Sequence, residues 1–155
     1  VGGVVIVVRR PETGESFVGE VPIQLFRCDA FRLQLYLDEA SDLVLRGLSS
    51  LRASVEEPIR ICQGYILSRA RRALLERGFR VETVRIVGKT QEMAEREFIK
   101  SLSRLGMGDE DHIRRMRSFK GFLRWVLEDP GSREIYVKTG WPSWPRLKGG
   151  SGLSP

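Results

Sequence analysis

Residues 58–105 read PIRICQGYILSRARRALLERGFRVETVRIVGKTQEMAEREFIKSLSRL, and the pattern predicts strand, helix, strand, helix. Ile59-Arg60-Ile61-Cys62 is a short apolar run behind Pro58 and ahead of Gly64, as in a buried strand. From Tyr65 to Arg77, residues Ile66, Ala70 and Leu74 recur every four positions with Leu67 and Ala73 beside them, which is one face of a helix. Arg69, Arg71, Arg72 and Arg77 lie off or at the edge of that stripe. Gly78 suits the left-handed position that ends many helices. Phe79 to Val87 carries Val81, Thr83, Val84, Ile86 and Val87, a β-branched density that predicts a second strand. Thr90 is placed to cap the next helix with its hydroxyl, and Ala94, Phe98, Leu102 and Leu105 mark its apolar face up to Gly106. Strands alternating with helices of this length predict a βαβ crossover with adjacent parallel strands.

Upstream, Val4 to Arg10 predicts a strand buried on both faces. Pro11 to Glu15 is a turn, and Ser16 to Val21 returns as the second arm of an antiparallel hairpin. Pro22 argues against a central strand, and Ile23 to Phe26 reads as a short third strand. Asp29 is a candidate N-cap. Leu33, Leu37, Ala40, Val44, Leu48 and Leu51 then form the most regular helical stripe of the chain. Downstream, Asp109-Glu110-Asp111 places negative charge at a helix start, where the helix dipole favours it. Ile113, Met116, Leu123, Val126 and Leu127 supply that helix's apolar side, Phe119 and Phe122 flank it, and Pro130-Gly131 stops it. Glu134 to Thr139 reads as a late strand whose edge would pair copies into a homodimer. Trp141-Pro142-Ser143-Trp144-Pro145 is read as irregular, folding back over the core or presenting a docking surface, and Lys148 to Pro155 as a mobile tail. Residues 1–140 are expected to form a single α/β domain, and 141–155 a Trp/Pro segment with its tail.

At 155 residues, 41% apolar and 30% charged, the chain has room for a real core. No run of about 18 apolar residues is present, so a membrane span is not expected. Val1 to Val8 is too short for a signal peptide and lacks a basic leader. Cys28 and Cys62 have no metal-type spacing and read as reduced thiols of a cytoplasmic protein. The net charge of +6 is uneven: residues 1–57 hold 6 Lys or Arg against 9 Asp or Glu, and residues 58–155 hold 20 against 11. Such asymmetry suits DNA, RNA or another polyanion, and equally suits a heat-adapted surface of paired arginines; the absence of Asn points the second way.

The order hairpin, third strand, long helix, strand, helix, strand, helix over residues 2–105 resembles the ribonuclease H-like fold, including Gly2-Gly3 leading into the first hairpin. The resemblance implies a mixed sheet. In active members of that family it also implies carboxylates that hold two Mg²⁺ ions, which activate water and stabilise the leaving oxygen. Here the first strand, Val4-Val5-Ile6-Val7-Val8, has no acid, and Cys62-Gln63-Gly64 stands where the family has an Asp. Only Glu39 or Asp38 in the long helix, and Glu92 or Glu95 in the later one, match. Two helix carboxylates without the strand-end pair make a poor Mg²⁺ site. The resemblance therefore implies nucleic-acid binding or an assembly role more than cleavage.

Other motifs carry less. Gly88-Lys89-Thr90 looks like the end of a phosphate-binding loop, but the glycine needed five residues earlier is Thr83. His112, the only histidine, lies in a polar helix start without a Ser or Cys partner. Glu92, Glu95 and Glu97 pair naturally with Arg96 and Lys100 along one exposed helix surface. Arg114, Arg115, Arg117, Lys120 and Arg124 are five cations with no acid between them. The expected fold is thus α/β: a mixed sheet with an N-terminal hairpin and a βαβα unit, ribonuclease H-like, plus a C-terminal helix and strand. The expected function is non-catalytic nucleic-acid binding or scaffolding through Arg69, Arg72, Arg114, Arg115, Arg117 and Lys120. The alternatives are an Mg²⁺-dependent nuclease built on Glu39 and Glu92, and a protein-interaction module using Trp141–Trp144.

Overall fold

The computed structural model describes residues 1–149. β1 (Val4–Arg9) and β2 (Ser16–Val21) form the expected antiparallel hairpin, with Val4 opposite Val21, Ile6 opposite Gly19 and Val8 opposite Phe17. Side chains alternate along a strand, so these six positions share one face. That face lies on α2 (Leu35–Ser50). Two glycines make the contact close: a Cβ on Gly19 would meet Leu43, and one on Gly47 would come 2.6 Å from Val8 Cγ2 and 2.9 Å from Phe17 Cδ1. The opposite face is covered by α4 (Lys89–Arg104), where the Ser101 hydroxyl donates to Glu20 Oε1 at 2.6 Å and Leu102 packs under Gly2. Both faces of β1 are covered as expected, although only Ile6 is fully buried.

Ile23–Phe26 is a 3-10 helix rather than a third strand. Pro22 at its N-cap lacks the amide a ladder needs, and the i,i+3 spacing of a 3-10 turn puts Ile23 and Phe26 together in the core. The long helix is broken. α1 (Cys28–Arg32) has Arg27, not Asp29, as its N-cap. Gln34 takes a left-handed conformation at φ 57° before α2 begins. Leu33, the first residue of the expected stripe, is 62% exposed, whereas Leu37, Ala40, Val44 and Leu48 are buried.

β3 (Pro58–Ile61) and β4 (Arg80–Thr83) pair in parallel, joined by a 3-10 turn at Tyr65–Leu67 and by α3 (Ser68–Glu76), so the βαβ unit forms. Gly78 is left-handed at φ 82°, as the helix end requires. The mixed sheet is not seen: the hairpin and the parallel pair are two separate two-stranded sheets. β4 stops at Thr83, not Val87, because β3 is its one partner among the described residues and ends at Ile61; a last bond runs from Val84 N–H to the Ile61 carbonyl. α4 is capped by the backbone of Gly88 at φ 68°, and Thr90 makes no capping bond.

The expected helix after Asp109 is two. α5 (Glu110–Met116) starts as expected, with the Asp109 carboxylate accepting from His112 N–H at 2.8 Å. The chain then turns, and α6 (Phe119–Glu128) starts afresh with Ser118 extended and capping Gly121 N–H. Pro130 begins a short helix, α7 (Pro130–Arg133), and Glu134–Tyr136 is a 3-10 turn, not a strand. A strand-paired dimer through this segment therefore has no strand to use. Trp144 to Gly149 forms α8, where irregular chain was expected; residues 150–155 of the expected tail lie outside the described part.

Three apolar clusters result. The first joins the hairpin, α2, α3 and β3. The second gathers Ile99, Leu102, Met107 and Ile113, and the third Val126, Val137 and Trp144. The segment after α7 straps the C-terminal part to the first cluster: Tyr136 carbonyl accepts from Gly2 N–H, Phe26 carbonyl accepts from Gly140 N–H, and Trp141 meets Phe31 edge-on at 5.0 Å. No helix among the described residues is long and apolar enough to cross a membrane.

Candidate nucleic-acid interface

The six basic residues singled out in the sequence do not share one surface. Arg69 and Arg72 lie on α3, which packs on α2; Arg114, Arg115, Arg117 and Lys120 lie on or between α5 and α6, and α5 packs on α4. Since α2 and α4 cover opposite faces of the hairpin, the two clusters stand on opposite sides of the molecule.

The pairing of each cation separates them further. Arg69 is a structural clasp. Its guanidinium donates to Asp38 Oδ1 at 2.6 Å, to the Gln34 carbonyl at 3.2 Å and to Gln34 Oε1 at 2.8 Å, which holds the left-handed break between α1 and α2. Arg71 likewise donates to the carbonyls of Cys62 and Gly64, fixing the exit of β3. Arg72 reaches Glu76 only at 4.0 Å. Arg114 is paired within its own helix to Glu110 and Asp111, both at 3.0 Å. Arg117 crosses to Glu95 of α4 at 3.2 Å. Hydrogen bonds from Gln91 and then Arg117 hold the Glu95 carboxyl below its usual range, so this pair is charged and pins the α5–α6 corner to α4.

Arg115, Lys120 and Arg124 are different. All three are exposed, and none has a carboxylate within 4 Å among the described residues. Lys120 and Arg124 are four residues apart on α6 and so are neighbours on its surface. Arg115 sits in the last turn of α5, just before the bend. Phe119, the first residue of α6 and next to Lys120 in sequence, is 70% exposed. Exposed cations and an exposed ring are the kinds of group that single-strand nucleic-acid surfaces use, charge for the backbone and a flat apolar face for a base. The sequence marks the charges, Arg124 among them, and places Phe119 on a helix flank; Ser118, whose cap restarts the helix at Phe119, is the readable signal for the break.

Glu39 and Glu92 are not brought together. Glu39 is on α2 and pairs with Arg46 at 3.2 Å; Glu92 is exposed in the first turn of α4, across the hairpin. Among the described residues, no three His, Cys, Asp or Glu side chains are grouped so as to hold a metal ion. Gly88-Lys89-Thr90 opens α4, but no strand precedes it directly and Gly88 lies in open space. Trp144 is buried, its indole N–H donating to Glu134 Oε1 at 2.6 Å, while Trp141 is 44% exposed. Cys28 is exposed and Cys62 half-buried, both as free thiols. No family model, no curated protein and no solved structure matches this chain.

Proposed function

We propose that the chain is a non-catalytic nucleic-acid-binding protein that contacts single-stranded backbone and base at the α5–α6 corner. The observation that carries this reading is that Arg115, Lys120 and Arg124 are exposed and, among the described residues, without carboxylate partners, on the segment that also carries the exposed Phe119 ring. Each cation is free to displace condensed counterions from a phosphate, which is where sequence-independent affinity comes from. The ring offers a stacking platform that every base fits. The ribonuclease H-like resemblance does not carry this reading, since its third strand is a 3-10 turn here and its mixed sheet is replaced by two separate sheets. The earlier contact set contracts accordingly: Arg69 and Arg114 serve the protein itself, and Arg117 positions the corner.

Fluorescence anisotropy with labelled single-stranded and duplex oligonucleotides, at about 50 mM salt, tests the reading. Single strands are expected to bind, and Phe119→Ala to weaken them by about 1–3 kcal/mol, the worth of one stacked base. Absence of binding to any oligonucleotide, or single-strand affinity indifferent to Phe119→Ala, overturns it.

A further inference from the structure

β1 is an edge strand with the composition of a central one. Between Gly3 and Arg9 it reads Val4-Val5-Ile6-Val7-Val8, with no charge and no proline. Edge strands of natural proteins usually carry such residues, which block pairing with another chain. Among the described residues β2 is the one strand paired with β1, while α2 and α4 pack on its two faces. The ladder fixes which groups its other edge presents. Arg10 N–H donates to the Glu15 carbonyl at 2.9 Å. Bonded pairs alternate along an antiparallel ladder, so Val8, Ile6 and Val4 bond to β2, and the amides and carbonyls of Val5, Val7 and Arg9 point away from it. None of these three has a backbone partner on that side among the described residues. A groove of about 250 Å³ is lined by Gly3, Val4 and Val5 together with Ala94 and Phe98 of α4, so space is open beside the start of the strand. Of the cations in its lining, Arg117 is paired with Glu95 and the Lys138 ammonium lies over the Phe26 ring.

We infer that β1 pairs antiparallel with β1 of a second copy, about a two-fold axis at Ile6. The run Val-Val-Ile-Val-Val is a palindrome about that residue. A two-fold axis normal to the sheet keeps every side chain on its own face. It sets Ile6 opposite the partner's Ile6, Val5 opposite the partner's Val7, and Val4 opposite the partner's Val8. Val5 and Val7 carry the unpaired backbone groups, so this register satisfies them, and each central cross-strand pair is β-branched on β-branched. The charges fit as well. Arg9 comes opposite the partner's Gly3. Arg9 has no carboxylate within 4 Å among the described residues, and Glu20 Oε1 lies 3.1 Å from where a Cβ on Gly3 would stand. The guanidinium therefore reaches across the glycine to the partner's Glu20. In its own chain Glu20 holds Arg104 only at 3.7 Å and accepts from the Ser101 hydroxyl. The symmetry makes this ion pair twice. The interface goes beyond the nucleic-acid reading and uses neither the α5–α6 corner nor Glu134 to Thr139.

The test is sedimentation equilibrium of the full chain, of Val7→Pro and of Arg9→Glu. The unaltered chain is expected to run at twice the mass of one chain. Val7→Pro removes an outward N–H and leaves the β1–β2 ladder intact, because Val7 does not bond to β2, and is expected to give monomer. Arg9→Glu sets a carboxylate against the partner's Glu20 on both sides of the axis, and is expected to weaken the dimer at least about tenfold. An unaltered chain that stays monomeric at about 1 mM overturns the inference. So does a dimer as tight in Arg9→Glu as in the unaltered chain, whether or not Val7→Pro folds.

Discussion

Gly47 lies inside α2, where a glycine costs about 1 kcal/mol relative to alanine. On helix propensity alone, Gly47→Ala should stabilise the chain by that amount. The structure predicts the opposite sign. The added methyl would sit 2.6 Å from Val8 Cγ2 and 2.9 Å from Phe17 Cδ1, and neither atom ends a flexible side chain that can swing away. Overpacking of this kind costs about 1–3 kcal/mol, so the net effect expected is a loss of about 1 kcal/mol, up to about 2. For a chain of this size that is a fall in Tm of about 2–8 °C. Denaturant unfolding should show a lower midpoint with an unchanged slope, because the folded state keeps its extent. Val8→Ala in the same molecule removes the closest clashing atom, and the pair should couple favourably by about 0.5–2 kcal/mol. A rise in Tm for Gly47→Ala, or strict additivity of the two changes, would refute the packing of α2 on the hairpin.

Acid pH should loosen the turn at the far end of that hairpin. Glu57 accepts from Arg10 at 2.9 and 3.1 Å, and that hydrogen bond, first among its causes, holds the carboxyl below its usual 4.5. A carboxyl with a depressed folded-state pKa contributes stability that is fully present above the usual value and is lost as pH falls through the folded value. Glu57→Gln should therefore flatten the acid limb of the stability–pH profile measured by thermal unfolding; an unaltered limb would count against the pair. Glu134 holds α8 through Lys148 and Trp144, and those bonds likewise depress its pKa, the Lys148 bond most. Glu134→Ala is expected to shift tryptophan emission to the red by exposing Trp144, and a spectrum identical to the unaltered chain would show that α8 is held otherwise.

The parts legible in the sequence were those with local signals. The hairpin follows from Pro11 and Gly14 between two β-rich runs, and the βαβ unit from Pro58, Gly64 and Gly78 punctuating alternate periodicities. Ile23–Phe26 and Glu134–Tyr136 are apolar runs too short for periodicity to separate strand from 3-10 turn. The break at Gln34 had no local mark, because Arg69, 35 residues away, holds it. That the two sheets stay separate depends on where α2 and α4 pack, which strand patterns do not encode. For the site, the sequence located the basic segment but weighed its charges alike. Which arginines are already spoken for is decided by partners such as Asp38 and Glu95, 31 and 22 residues distant. Lys138 falls in the segment Glu134 to Thr139, whose sequence predicts a strand, whereas the structure places its ammonium over the Phe26 ring.

In the proposed contact surface, free cations rather than total basicity make the contacts. This claim is tested most directly by the salt dependence of single-strand binding for the unaltered chain, for the triple variant Arg115→Ala, Lys120→Ala, Arg124→Ala, and for Arg72→Ala on the opposite side. On a single strand, each phosphate contact contributes about 0.7 to the slope of log affinity against log salt. The triple variant should therefore bind more weakly with a slope shallower by about 2, and Arg72→Ala should leave the slope as it was. An unchanged slope for the triple variant, or an equal loss from Arg72→Ala, would contradict the claim.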